Sequence, residues 1–245
     1  MMRMTVLFTL LLLSQTAQSA FVLNSTRYIY TEANNSIPIE VSNKSERKYG
    51  GQVSVYLDGT ESDQITTETP VVLPSPPVFK SGPNSKQRIN LRMINKEALP
   101  TDRESLFWLN VLEIPMSTRA SGASGNSIAL AMNIKVKLLY RPDAISEQRQ
   151  DAESQIFYRA SDNKLTIVNK SPFYFAISQL EIDGKSIYPT DEVTRSNLQK
   201  LSPYSAVDIG DIQVRKGQDV IITSIDDWGA TKQYTLVQEL VEITR

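Results

Sequence analysis

Few side chains in this 245-residue sequence suit covalent chemistry. There is no His, which removes the commonest general base, the Ser-His-Asp arrangement and the imidazole ligands of zinc. There is no Cys, so no thiol nucleophile and no disulfide framework. Neither common glycine-rich phosphate loop occurs. Ser45 to Lys48 and Ser161 to Lys164 match the Ser-x-x-Lys spacing of penicillin-binding enzymes. No Lys-Thr-Gly accompanies them, and Asp162-Asn163 reads as a hairpin turn. Asp226 and Asp227 are a carboxylate pair, but neighbours on a strand face opposite ways, which disfavours joint acid–base work. The sequence argues against an enzyme, with a carboxylate-based hydrolase as a minor reading. No cofactor and no metal site are expected.

Binding is the remaining chemistry, and one stretch dominates it. From Ser127 to Pro142, Ile128, Leu130, Met132, Ile134, Val136 and Leu138 recur at every second position. On a strand these share one face, with Ala129, Ala131, Asn133, Lys135 and Lys137 on the other. At ~3.3 Å per residue the stretch could run ~50 Å, against a usual strand of ~5–6 residues. Pattern alone leaves two readings open. One is a long core strand inside a sandwich. The other is an apolar overhang that must find a partner or aggregate.

The elements that position this stretch are almost all strands. Phe21 to Tyr30 reads as the first. Alternation follows at Ile37, Ile39 and Val41, at Val53, Val55 and Leu57, and at Ile89, Leu91 and Met93. Thr67 to Pro77 suits an edge or connection, and Leu106 to Ile114 a strand covered on both sides. Met116 to Ser127 reads as a loop. Pro142 and the polar run Asp143 to Ser154 mark a boundary, with a turn or two of helix between Ala144 and Ser154. Beyond it come Gln155 to Phe157, Leu165 to Val168, Phe173 to Ile182, Ala206 to Ile209, Gln213 to Val214, Val220 to Ile225 and Tyr234 to Ile243. Short strands at this spacing predict an all-β chain of two successive sandwiches, 20–142 and 143–245.

Residues 1–19 read as a secretory leader. Arg3 is the positive start, Val6 to Leu13 the apolar run, and Ala17 and Ser19 the small residues before a cut at Ala20, with a cut after Ala20 as the rival. The apolar run is too short to span a membrane, and no later segment approaches that length. The rest, roughly 225 residues, is enough for two ordinary domains. A formal net charge of −1 gives no reason to expect nucleic-acid binding.

Two signatures place the sequence beside a known family. Thr101-Asp-Arg-Glu-Ser-Leu-Phe-Trp-Leu-Asn-Val111 precedes Ile114-Pro115, and Ile134-Lys-Val-Lys-Leu-Leu-Tyr-Arg-Pro142 closes the dominant stretch. Asn169 to Tyr174, Leu201 to Pro203 and Asp227-Trp-Gly229 support them. With these, the sequence resembles the PapD-like periplasmic chaperones of the chaperone–usher pathway, which assemble bacterial pili. The resemblance implies two immunoglobulin-like sandwiches in an L with a cleft between them. It implies a periplasmic protein that lends a strand to pilin subunits and passes them to an outer-membrane usher.

The resemblance also assigns residues. Arg27 and Lys137 bind the carboxylate at the pilin C-terminus. Ile128, Leu130 and Met132 are the donor residues, with Ile134 a fourth. Glu104, Arg141 and Asp227 form a buried charged trio that holds the domains. Self-association through the lent strand is compatible with an open edge. The stretch from Met116 to Ser127 and the lack of Cys match the family's short-loop branch. Three departures stand out. Gly50-Gly51 and Val53 occupy a strand where many relatives carry a Trp, Asp226 and Trp228 flank Asp227 in place of Asn and Tyr, and Met132 replaces a branched aliphatic. An exported pilus subunit or adhesin is the other class, but it would carry its own N-terminal donor segment and a Cys pair, neither clearly present here.

Overall fold

The computed structural model describes residues 19–59, 71–116, 130–161 and 163–239. Among them four sheets form two sandwiches. One sheet of the first sandwich contains β1 (Phe21–Leu23), β3 (Ile37–Asn43), β7 (Lys86–Ile94) and β5 (Val71–Ser75), in that order. The other contains β2 (Arg27–Thr31), β9 (Met132–Arg141), β8 (Ser105–Pro115), β4 (Tyr49–Leu57) and β6 (Val78–Ser81). In the second sandwich, β14 (Ser205–Gly210), β11 (Lys164–Asn169), β10 (Ile156–Ser161) and β17 (Val237–Gln238) face β13 (Lys185–Ile187), β12 (Ala176–Ile182), β15 (Val220–Ile225) and β16 (Thr231–Thr235). No described helix is long and apolar enough to cross a membrane.

The alternating residues make the cores. Ile39, Val41, Ile89 and Leu91 from one sheet meet Val53, Leu109 and Val111 from the other, all essentially fully buried. Burial of each such side chain stabilises by about 1.5–3 kcal/mol. Leu165, Ile167, Leu180 and Ile222 do the same in the second sandwich. The Gly50-Gly51 departure has a packing reason. A Cβ on Gly51 would lie 2.2 Å from the Phe79 ring, which stacks on Phe21 at 5.7 Å. The missing side chain makes room for an aromatic from β6.

Several strand expectations need correction. Phe21 to Tyr30 is two strands in two sheets, broken at Asn24-Ser25-Thr26. The break is held locally. Asn24 Oδ1 accepts from the Tyr28 hydroxyl and from Glu40 N, and Ser25 Oγ accepts from Arg27 N. Polar side chains that satisfy nearby backbone favour turns over strands. The break lets β2 pair parallel with β9. Leu106 to Ile114 is covered on both sides only at Leu106 and Phe107; from Leu109 onward its burial alternates. The dominant stretch is strand from Met132, and its first residues, 127–129, lie outside the described ones.

Gln213 and Val214 are irregular, not strand. Tyr234 to Ile243 is the end of β16, then β17, which pairs parallel with β10. Residues 240–243 lie outside the described ones. A helix, Glu192–Gln199, was not expected. Asp191 caps it by accepting from Thr194 N at 2.7 Å. Only Leu198 in it is buried, so it shows almost no apolar periodicity. The short helical turns between Asp143 and Gln155 occur where a turn or two was expected.

Candidate functional site: a cation pair beside an open strand edge

The sheet register puts Arg27 of β2 directly opposite Lys137 of β9. Like charges in that position destabilise a sheet unless something offsets them. Both side chains line a cleft of about 370 Å³ between the sandwiches. Trp108 lines it from the first sandwich, and Ile177, Gln199 and Lys200 from the second. Arg27 is only 7% exposed. Its Nη1 donates to the Ile225 carbonyl at 2.8 Å, and its buried Nε has no partner among the described residues. Lys137 Nζ donates to the Gln199 carbonyl at the end of the unexpected helix. Neither cation has an ion pair among the described residues.

The nearby Asp58 carboxylate is already engaged. It takes Lys200 Nζ at 3.0 Å across the cleft and Trp108 Nε1 at 2.7 Å. Burial therefore dominates the electrostatics of the pair. It lowers the Arg27 guanidinium below its ordinary value. Burial first, then the neighbouring Arg27 and Lys200, bring Lys137 down to about 8. Two desolvated cations with unspent donors, opening on a cleft, suit an anion with two acceptor oxygens.

The strand carrying Lys137 has an open edge. β8 pairs with β9 along its length, from Glu113 opposite Met132 to Ser105 opposite Tyr140. β2 covers the other edge only from Lys137 to Arg141. Among the described residues, Met132 to Val136 thus present unpaired backbone groups on one side, a template for another strand. The apolar stripe emerges from the core along this half. Leu138 is fully buried, Val136 and Ile134 are half-buried against the first core, Met132 is 42% exposed and Leu130 73%. Ile134 is thus shared with its own core, unlike Leu130 and Met132. Ile128 lies outside the described residues. On the opposite face, Lys135 sits 4.2 Å from the centroid of the Trp108 ring.

Glu104, Arg141 and Asp227 come together at the domain junction. Arg141 Nε donates to Glu104 Oε1 at 2.7 Å and its Nη2 to Asp227 Oδ2 at 2.8 Å. Glu104 Oε2 accepts from Tyr174 N, and Glu104 N donates to the Pro172 carbonyl. Burial holds the Glu104 carboxyl above its usual range, with Arg141 opposing. Arg149 and Glu153 extend the trio. Arg149 forks onto both Glu153 oxygens at 3.0 Å and lies 3.5 Å from Asp227. Their spacing of four was the available signal.

The rejected enzymatic candidates are spent on turns. Asp226 Oδ1 accepts from Trp228 N and Ala230 N, while Asp227 faces the two arginines, so the pair shares no site. Ser45 Oγ donates to Asn43 Oδ1 within its loop. Ser161 and Lys164 are opposed residues of the β10–β11 hairpin.

The sequence and the fold have counterparts among known proteins. Residues 20–146 match the model of the "Pili and flagellar-assembly chaperone, PapD N-terminal domain". Residues 151–236 match the "Pili assembly chaperone PapD, C-terminal domain". The chain is 40% identical to the chaperone protein FanE of Escherichia coli, over 91% of this chain and 92% of that one. It is 36% identical to the E. coli chaperone protein FaeE, over 93% and 82%. Among solved structures it is similar to the Salmonella enterica SafB chaperone in complex with the SafA pilin. That match has a TM-score of 0.69 and 25% identity, covering 91% of this chain and 99% of that one. Two matched domains and relatives of nearly equal length lead to one assignment: the chain belongs to the PapD family of pili assembly chaperones.

Proposed function

We propose that this protein is a periplasmic chaperone that captures newly exported pilin subunits, completes their fold with its β9 strand and delivers them to an outer-membrane usher. The observation that carries the reading is the in-register pair Arg27 and Lys137, next along the strand from a half-strand with one open edge. A subunit's C-terminal carboxylate would engage both cations and fix register. A slip of one residue would turn every lent side chain to the wrong face. Leu130, Met132 and Ile128 then fill the subunit's groove, with Ile134 at its margin. The relatives FanE and FaeE are named as chaperones, and SafB is solved with a pilin, which supports the same client class here.

Binding alone accomplishes this, without an enzymatic step or nucleotide. A leader over residues 1–19, a client-binding domain over 20–142 and a second domain over 143–245 complete the reading. The same open edge suits pairing with a second copy when no client is present. Co-purification from periplasm tests the function. Wild type should bring down a pilin subunit, and Arg27→Ala and Lys137→Ala should emerge folded but without it. Capture retained by both variants would overturn the anchoring claim.

A further inference from the structure

Glu113 is a buried carboxylate that the proposed function does not use. It lies near the end of β8 and is 3% exposed. Its Oε2 accepts from Phe21 N at 2.9 Å and from Ser19 Oγ at 2.9 Å. No cation pairs with it among the described residues. A buried carboxylate is costly unless a cation joins its hydrogen bonds. The residue between its two donors is Ala20, itself 4% exposed.

We propose that Glu113 is the receptor for the chain's own α-ammonium group, created by cleavage between Ser19 and Ala20. This rests on the leader reading and is independent of the client. A leader peptidase adds water across the Ser19–Ala20 amide. The C–N bond breaks, the hydroxyl goes to the Ser19 carbonyl, which leaves as a carboxylate, and the Ala20 nitrogen becomes an ammonium. That charge forms where Ser19 and Phe21 already direct donors at Glu113. A primary ammonium supplies three donors in place of one amide N–H and the departing serine hydroxyl. The cut precedes folding, because Ala20 and Phe21 are buried once β1 pairs with β3. A cut one residue later would discard the Ala20 carbonyl, which accepts from Lys44 N at 2.7 Å.

The test is a cycle of four purified proteins: wild type and Glu113→Gln, each exported normally or made with Gln18-Ser19 retained after tag removal. Intact mass of the exported chain should begin at Ala20; a different first residue overturns the cleavage site. Glu113→Gln should lower the melting temperature of the processed form by about 3 °C or more, and change the extended form by about 1 °C or less. An equal shift in both forms overturns the ammonium pairing, whatever the mass shows. Should the processed variant be too unstable to purify, wild type decides: processed protein should melt above extended, and identical melting overturns the pairing.

Discussion

Lys137 carries a cost in the free protein, and under the proposed function a client's carboxylate offsets it. It faces Arg27 across the strand pair, is held near 8 by burial, and has a backbone carbonyl as its acceptor. Lys137→Met should therefore abolish client capture while leaving the melting temperature at pH 7 unchanged or raised. Thermal melts and co-purification on the same preparations check both halves. The pH dependence has a definite sign. Unfolded, the lysine titrates near 10.5; folded and free, near 8. Between these values the unfolded chain binds the extra proton, so this group's contribution to stability rises with pH. A client carboxylate needs the protonated amine, so affinity should fall as pH passes through about 8. Binding isotherms from pH 6.5 to 9.5 would show this, and an affinity independent of pH across that range would contradict it.

At the scale of elements, β9 works as two half-strands with different neighbours. Leu130→Glu should leave the unfolding free energy within about 0.5 kcal/mol of wild type, since the side chain is mostly exposed. It should nonetheless abolish protection of pilin against aggregation, measured by light scattering. Gly51→Ala is the contrasting case. Its Cβ would enter the Phe79 ring, so a loss of about 1–3 kcal/mol is expected in denaturant unfolding. The alternation at Ile37–Val41 and Ile89–Met93 was legible because each strand has one wet face. The break at Asn24–Thr26 was not, since sheet exchange depends on long-range pairing. The helix Glu192–Gln199 escaped because only Leu198 in it is buried. Arg27 and Lys137 were singled out through family signatures alone, and the structure brings them to one cleft. Their direct opposition depends on a parallel pairing between residues 110 positions apart, which local pattern does not encode.

For the whole molecule, buried ion pairs run from one sandwich to the other at the junction. Arg141 connects Glu104 of the first to Asp227 of the second. Arg141→Met would leave Glu104 buried without its cation, a loss of about 3–5 kcal/mol. Calorimetry should then show the sandwiches melting separately where wild type melts as a unit. The cleft itself depends on this union, because Ile225 and Gln199 of the second sandwich hold the two cations of the first. The most direct measurement of the central claim compares a pilin C-terminal peptide as free acid and as amide, titrated into the purified protein. The acid should bind about 10–100-fold more tightly, as expected for hydrogen bonds to charged groups, and the preference should disappear in Lys137→Met. Equal affinity of acid and amide for wild type would contradict a carboxylate anchor at Arg27 and Lys137.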